Sequence, residues 1–258
     1  MKKLTTQGYW NDAYKKLTGQ RRSFPRINRN RNEFEIALLL QRVLKNKQGC
    51  KFLEMGCGNS IWLPYVSETF KYSVAGIDYS EAGVSSALAN LQVRHIEGNI
   101  FRVNFLNDNE IASFGGSWDV VFSLGVIEHF DQPDFVIDKF SRCLKSTGIM
   151  ITVVPNLFGL MGKIQKRIDT AIFSMHQQIS QDDLVSFHKN NGLTIMEYGS
   201  LGFLDFSMLN FSQYGRLTAY IGRIIRLLDL PLLVLYKLRL KFSSPFLSSF
   251  FYVVAEKR

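Results

Sequence analysis

Residues 51–60, K-F-L-E-M-G-C-G-N-S, predict a short buried strand that runs directly into a glycine-rich turn. The apolar residues of this strand are followed by Gly56 and Gly58, and these glycines let a ligand lie against the backbone without meeting a Cβ atom. At the carboxyl end of the first strand of an α/β unit, such a turn is typical of a cofactor site. A Gly-x-Gly pair alone is also consistent with a purely structural turn.

A second strand is predicted at residues 73–78, S-V-A-G-I-D, and it ends in Asp78. From this position a carboxylate can accept hydrogen bonds from both ribose hydroxyls of a nucleoside cofactor. Ile61 stands where the third glycine of the dinucleotide pattern would fall, which argues against a bound pyrophosphate. Glu54, two residues before the turn, would repel a diphosphate and suits a cofactor with a cationic group.

Strands and helices alternate along most of the chain, which predicts a parallel, doubly wound α/β sheet. A third short strand is expected at residues 93–96, after a helix that begins at Ser80. The clearest central strand is residues 118–124, W-D-V-V-F-S-L, and the final strand is residues 250–255, F-F-Y-V-V-A. Four domains or segments follow from this pattern: an N-terminal helical cap (1–48), a cofactor-binding core (49–200), an insertion (201–249) and the last strand of the core (250–258).

Three stretches of the chain resemble one enzyme family. E-M-G-C-G-N at residues 54–59 closely resembles the first motif of the class I S-adenosylmethionine-dependent methyltransferases, and Asp78 matches their ribose-binding acid. The string W-D-V-V-F-S-L-G-V-I-E-H-F at residues 118–130 resembles the fourth motif of the ubiquinone-type and related small-molecule methyltransferases. Residues 9–11, Y-W-N, resemble the leader helix that caps the cofactor pocket in many of them. The resemblance implies a Rossmann-like seven-stranded sheet with an antiparallel last strand, and S-adenosyl-L-methionine as the cofactor.

The resemblance also implies which residues form the site. The expected cofactor contacts are Glu54, Gly56, Cys57, Gly58, Asp78, Tyr79, Asn99, Ile100, Ser123, Leu124 and Gly125. Asn99 takes the place of the acid that accepts the adenine amino group in the family, and either Ile100 or Phe101 can stack on the adenine ring.

Two histidines are candidate catalytic bases on the acceptor side. His129 lies with Glu128 at the mouth of the site, and it is either a base or a helix-start histidine bonded to backbone. His176 precedes a helix capped by Ser180 and resembles a histidine that faces the acceptor pocket in the family. His95 and His188 are interpreted as incidental, one beside a strand and the other on the polar side of a helix.

The net charge of +9 is unevenly distributed along the 258 residues. Residues 1–50 carry twelve Lys or Arg against three acids, residues 51–200 carry eleven against sixteen, and residues 201–258 carry eight against three. The basic flanks favour contact with phosphate, an anionic substrate or an anionic membrane surface, or they form a solvated face. Within the insertion, residues 216–241 are rich in Leu, Ile and basic residues, which fits either a lid or membrane-surface segment, or a homodimer interface or additional core.

Several other protein classes are disfavoured by the sequence. Cys50, Cys57 and Cys143 show neither a disulfide framework nor the spacing of a metal site, so no metal is expected and a reducing cytoplasm fits. The first ten residues contain no apolar core of a secretory signal, and no uninterrupted apolar stretch is long enough to span a membrane. A cytoplasmic protein, with membrane association left open, is therefore expected.

The predicted reaction is methyl transfer to a small-molecule acceptor, and a hydroxyl is the expected nucleophile because only a hydroxyl strongly needs a base near neutral pH. Methylation of nitrogen or carbon in a small molecule remains an alternative. RNA methylation is disfavoured, since the chain has no Asn/Asp-Pro-Pro-Tyr/Phe string after the fourth strand and no Pro-Cys dipeptide. A non-catalytic, membrane-associated scaffold is the alternative from a different class.

Overall fold

A computed structural model of the protein describes residues 2–17, 22–44, 49–204 and 244–258, together with residues 206, 209 and 224. Within these residues, seven strands form one sheet. They are β1 (Lys51–Met55), β2 (Ser73–Asp78), β3 (Gly98–Arg102), β4 (Trp118–Leu124), β5 (Leu144–Pro155), β6 (Leu193–Leu201) and β7 (Phe250–Lys257).

The strand order is β3-β2-β1-β4-β5-β7-β6. The five strands from β3 to β5 are parallel, whereas β7 is antiparallel to both of its neighbours, β5 and β6. The predicted Rossmann-like sheet with an antiparallel last strand is therefore confirmed. Because β1 lies between β2 and β4, the chain leaves the carboxyl ends of these three strands at one edge of the sheet, close together.

Nine α-helices lie in the described part of the chain. They are α1 (Gln7–Leu17), α2 (Arg31–Val43), α3 (Trp62–Phe70), α4 (Glu81–Val93), α5 (Asp108–Ile111), α6 (Pro133–Cys143), α7 (Leu160–Ile168), α8 (Thr170–Ser174) and α9 (Gln181–Asn190). Their starts follow local chemistry: Ser80 caps α4, and Ser180 forms a reciprocal capping box with Asp183 at α9.

Apolar side chains pack on both faces of the sheet, as a doubly wound fold requires. The alternation along β1 sends Phe52 to the cluster that includes Leu63 and Phe122, and sends Leu53 to the opposite cluster with Phe140. All five side chains are fully buried. The two layers fix β1 in the middle of the fold and hold its glycine turn rigidly.

The prediction for the third strand was wrong by about one strand length. Residue 93 is still helical, because α4 continues to Val93, and the ladder with β2 begins only at Gly98. The sequence of residues 93–96 is compatible with either a helix end or a strand. Strand pairing decides between them, because the first residue that pairs with β2 is Gly98, opposite Val74. This shift moves the loop after β3 to residue 103 and beyond.

The two ends of the predicted insertion are held together at the edge of the sheet. The Ser249 amide donates to the Leu201 carbonyl (2.9 Å), and the Leu204 amide donates to the Leu247 carbonyl (2.9 Å). Residues 216–241, for which a lid, membrane or dimer contact is predicted, lie outside the described residues except for Ile224. No helix in the described part of the chain combines the length and the apolar character needed to cross a membrane.

His188 has a structural role that the sequence interpretation missed. Its side chain is fully buried between α9 and β5; Nδ1 lies 2.7 Å from the Leu184 carbonyl oxygen and Nε2 lies 2.9 Å from Thr152 Oγ1. Since a carbonyl only accepts, Nδ1 carries the proton and Nε2 accepts from the threonine hydroxyl. Burial lowers the pKa of His188 to about 4, because the charged imidazole would lose its hydration.

We expect His188 to make the fold sensitive to mild acid. Between pH 6.5 and pH 4 the unfolded chain binds a proton that folded His188 excludes, so the free energy of unfolding falls as the pH is lowered. For this residue alone the loss from pH 7 to pH 5 is about 2 kcal/mol. Urea unfolding of wild type and His188→Gln at both pH values measures it. An equal loss of stability in both proteins would contradict the assignment.

Candidate active site

A cavity opens where the chain leaves β1, β2 and β4. Five of the residues predicted for the site line it: Gly56, Asp78, Tyr79, Gly125 and His129. The N-terminal segment and two loops complete the wall with residues that are not among the predicted cofactor contacts or bases, namely Thr5, Trp10, Tyr14, Phe105, Val126 and Phe130. Trp10 belongs to the predicted leader helix, and Val126 and Phe130 belong to the string at residues 118–130. The cavity therefore combines a few polar groups with a largely aromatic lining, as small-molecule sites commonly do.

The glycine turn adopts a backbone that other residues rarely adopt. Gly56 has φ +68° and Gly58 has φ +42°. A Cβ atom on Gly56 would lie 2.7 Å from Val126 Cγ2, and one on Gly58 would lie 2.1 Å from the Tyr14 hydroxyl. Both glycines are thus required by close approach as well as by backbone conformation.

Asp78 is held at the end of β2 by two backbone donors. Its Oδ2 accepts from the Gly58 amide (2.8 Å), and its Oδ1 accepts from the Ser80 amide (2.7 Å). Burial raises the pKa of this carboxyl, while the backbone donors act in the opposite direction. The carboxylate is therefore fixed beside the glycine turn, and each oxygen has a lone pair available for a ligand.

Glu54 is buried inside β1, two residues before the turn. Its Oε2 accepts a hydrogen bond from the Ser60 hydroxyl, which also accepts from the Trp62 and Leu63 amides at the start of α3. Burial raises the pKa of Glu54 to about 8, against the opposing effect of the Ser60 bond, and Asp78 raises it further. A cationic ligand nearby would favour the ionised carboxylate.

Three further predicted contacts lie close to the turn but do not line the cavity. Cys57 is buried with its Sγ against Gly76 of β2, so its side chain packs into the sheet. Ser123 and Leu124 form the end of β4 and pair with β5 at Thr152 and Val153. Their roles as cofactor contacts stay predictions.

Asn99 and Ile100 are placed differently from the sequence interpretation. They lie inside β3, where they pair with Ala75 and Gly76, two or three residues before Asp78 along the sheet. Neither lines the cavity. The chain actually leaves β3 at residue 103, and Phe105 reaches the cavity wall. The residue that reaches the cavity could be identified only once the register of β3 on β2 was known, because a strand that starts later in the chain also ends later.

His129 and His176 contact each other, although they lie far apart in the chain. Their ring centroids are 4.5 Å apart. His129 Nδ1 lies 3.2 Å from the Met175 carbonyl oxygen, and His176 Nδ1 lies 2.9 Å from the Ile172 carbonyl oxygen. Because each Nδ1 faces a carbonyl, it carries the proton, and each Nε2 keeps a free lone pair.

Both imidazoles are neutral at pH 7. Burial lowers the pKa of His129 to about 3, and the neighbouring His176 lowers it further, against the effect of the Met175 carbonyl. Burial likewise lowers the pKa of His176. A neutral imidazole can accept a proton, which an imidazolium cannot, but a pKa as low as that of His129 also makes the ring a weaker base than an exposed histidine.

Glu128 lies beside His129 without lining the cavity, and it is not among the predicted catalytic residues. Its side chain is buried, Oε1 lies 3.9 Å from His129 Nε2, and Oε2 has no hydrogen-bond partner among the described residues. Burial raises the pKa of Glu128 to about 8, so a protonated carboxyl sits beside His129 at neutral pH. The adjacent Glu-His pair at the end of a central strand was the signal available in the sequence.

The residues at the edge of the sheet fit a nucleoside cofactor with a cationic group. Asp78 presents a carboxylate for a ribose, Glu54 lies buried close by, and the aromatic lining covers the opposite side. A seven-stranded sheet of this topology with such an edge defines the class I S-adenosylmethionine-dependent methyltransferases.

Comparison with known proteins agrees with this class. Residues 27–198, which are 172 of the 258 residues, match the family described as "Methyltransferase domain". The chain belongs to this family and is an S-adenosylmethionine-dependent enzyme.

The curated relatives are distant in sequence. The chain is 24% identical over 168 residues to the ubiquinone biosynthesis O-methyltransferase of Pelagibacter ubique (strain HTCC1062), covering 62% of this chain and 68% of that protein. It is 25% identical over 175 residues to the mitochondrial ubiquinone biosynthesis O-methyltransferase of Dictyostelium discoideum, covering 60% of this chain and 53% of that protein. The chain thus spans between about half and two thirds of the length of these two relatives.

Solved structures share the fold at lower identity. A putative methyltransferase of Haloferax volcanii in complex with the Trm112 activator has a TM-score of 0.61 at 16% identity, covering 96% of this chain and 94% of that chain. The geranyl diphosphate C-methyltransferase of Streptomyces coelicolor A3(2), bound to Mg2+, geranyl diphosphate and S-adenosyl-L-homocysteine, has a TM-score of 0.60 at 16% identity, covering 88% and 79%.

Proposed function

We propose that this enzyme methylates a hydroxyl group of a small molecule. The observation that carries the proposal is the buried pair of neutral histidines at the end of β4, with His129 in the cavity wall and its Nε2 free. The relatives' O-methyltransferase activity supports the same acceptor atom.

When bound, S-adenosyl-L-methionine supplies a methyl group on a sulfonium. His129 Nε2 takes the proton of the acceptor hydroxyl as the new oxygen–carbon bond forms, and the electrons of the breaking carbon–sulfur bond remain on sulfur. His176 does not line the cavity, so we assign it to the position behind His129, where its ring packs against the base. The buried aromatic wall excludes water and aligns the acceptor.

The cofactor contacts we propose are Gly56, Gly58, Asp78, Tyr79 and Gly125. We assign the contact with the adenine ring to Phe105 and no longer to Ile100, because Phe105 follows β3 and lines the cavity. Asn104 replaces Asn99 as the amide that follows β3; its side-chain oxygen accepts from Lys3 Nζ at 3.3 Å. A cytoplasmic location, a membrane or dimer contact through 216–241 and the four-part division of the chain remain predictions.

A product analysis tests the acceptor atom. The enzyme is incubated with S-adenosyl-L-methionine carrying a labelled methyl group and a panel of small molecules that offer phenolic, alcoholic, amine or activated-carbon acceptors. We expect a methyl ether as the labelled product, located by NMR. Label found exclusively on nitrogen or carbon would overturn the proposal and favour the corresponding alternative enzyme.

We expect the pH dependence of kcat/KM to reflect the low pKa of His129. An exposed histidine would lose activity as the pH falls through about 6.5. Because folded His129 titrates near 3, it stays neutral, and kcat/KM should show no decline with a midpoint near 6.5 between pH 7 and pH 5. A change near pH 8 is expected instead from Glu54 and Glu128, whose pKa burial raises to about 8. Steady-state rates in this range, with circular dichroism as a check on folding, measure this. A decline with a midpoint near 6.5 would exclude His129 in its observed environment as the base.

A further inference from the structure

Tyr14 of α1 lies in the space beside the glycine turn that a close-approaching ligand would use. A Cβ atom on Gly58 would meet the Tyr14 hydroxyl at 2.1 Å, and one on Gly83 would meet Tyr14 Cε2 at 3.1 Å. Burial raises the pKa of Tyr14 well above its usual value, and the nearby Asp78 raises it further. The hydroxyl is therefore enclosed between the turn and the ribose-binding acid.

A row of rings connects Tyr14 to the acceptor side. Trp10, one helical turn earlier, stacks on Tyr14 with centroids 5.7 Å apart and meets His129 edge-on at 5.0 Å. Its Nε1 donates to Thr5 Oγ1 (3.0 Å), which fixes the indole. A shift of Tyr14 therefore cannot occur without a change in the contacts that Trp10 makes with Tyr14 or His129.

The segment that carries both rings is tied to the two loops of the site. On one side, the Leu4 amide donates to the His129 carbonyl (2.8 Å), and the Asp131 amide donates to the Lys2 carbonyl (3.1 Å). On the other side, Gln7 Nε2 donates to the Tyr79 carbonyl (2.7 Å), and Asn11 Oδ1 accepts from Ser80 Oγ (2.7 Å). Residues 2–11 thus join the loop after Asp78 to the loop that holds His129.

We propose that Tyr14 is a positioning residue that couples cofactor binding to the acceptor pocket. The cofactor displaces the Tyr14 side chain from Gly58, and the stacked Trp10 transmits this displacement to the surface of His129. The acceptor pocket then takes its final shape after the cofactor has bound. The acceptor part of this proposal rests on the proposed function, whereas the cofactor part requires only cofactor binding.

The first test uses S-adenosyl-L-homocysteine and needs no acceptor. Tryptophan fluorescence is followed during titration of wild type, Trp10→Phe and Tyr14→Ala, and calorimetry gives the affinities. We expect a fluorescence change in wild type that is lost in both variants. Tyr14→Ala should bind the ligand equally or about two- to tenfold more tightly, because no ring contact has to be broken.

Tyr9→Ala is the matched control, since Tyr9 lies on the same helix and contacts Trp10 edge-on at 5.2 Å without contacting Gly58 in the way Tyr14 does. It should retain both the affinity and the fluorescence change. If Tyr14→Ala weakens binding about tenfold or more while folded, Tyr14 is a direct ligand of the cofactor and the proposal is wrong. Retention of the full Trp10 signal in Tyr14→Ala would also exclude the coupling.

A second measurement does not depend on any variant folding. Hydrogen exchange of wild-type residues 2–17 is compared with and without S-adenosyl-L-homocysteine. Altered protection in α1 is expected, and unchanged protection despite saturation would contradict displacement. For the acceptor step, Tyr14→Ala should raise the acceptor KM without weakening cofactor binding. If product analysis excludes O-methylation, the fluorescence and exchange results still decide the cofactor step.

Discussion

Asp78→Ala is expected to weaken binding of S-adenosyl-L-methionine and S-adenosyl-L-homocysteine by about 100-fold or more. Hydrogen bonds to a charged group contribute roughly 1.5–3 kcal/mol each, and a ribose offers two hydroxyls to this carboxylate. The substitution also leaves the Gly58 and Ser80 amides without their buried acceptor. Titration calorimetry on the folded variant measures the loss.

Asp119→Ala is a suitable control for that experiment. Asp119 also accepts a hydrogen bond from a backbone amide, that of Lys51 (2.7 Å), and it pairs with Lys145 (3.0 Å). It lies near the amino-terminal end of the central strand β4, whereas Asp78 lies at the carboxyl end of β2. Its replacement should change stability and leave the cofactor affinity within about twofold. Wild-type affinity in Asp78→Ala would remove the central role assigned to this carboxylate.

His129→Asn is expected to lower kcat by about 10²- to 10⁴-fold, the usual contribution of a positioned general base. An asparagine amide can still donate toward the Met175 carbonyl, so the local fold is preserved while the basic nitrogen is lost. The cofactor Kd should stay within about twofold of wild type, which separates a catalytic defect from a binding defect.

Two single variants and one double variant serve as comparisons for His129→Asn. His95→Asn is the neutral control, because His95 is exposed in a turn with φ +52° and asparagine tolerates that backbone. His176→Asn should cost less than His129→Asn if His176 acts only by packing against the base. Full activity at neutral pH in the double variant of His129 and His176 would rule out base catalysis by either ring.

The place in the fold of Gly56, Gly58 and Asp78 could be predicted from sequence because their signals are local; their contacts with the cofactor stay predictions. Gly56, Gly58 and Asp78 each directly follow or end a strand, and parallel strands bring their carboxyl ends to one edge. The chemistry of the residues then restricts the ligand. The loop after β3 could not be placed in the same way, since residues 93–96 suit a helix end or a strand equally well and only pairing with β2 decides.

The roles of the histidines likewise depend partly on local sequence signals and partly on tertiary packing. The capping box at Ser180 correctly placed the start of α9, but the 3.6-residue periodicity could not reveal that His188 faces Thr152 of β5 inside the core. Burial, which sets the low pKa values of His188 and His129, is a property of the assembled layers. No local pattern specifies it.

The class of fold and the cofactor could be read from the sequence, because short motifs at strand ends carry that chemistry; the role of Asp78 as the ribose-binding acid stays a prediction. Only the assembled fold shows that Tyr14 lies against Gly58, that His129 meets His176 and that Oε2 of Glu128 has no partner within the described parts of the chain. These contacts join residues far apart in the chain. Their geometry depends on the packing of the whole sheet and its helices, which local propensities do not encode.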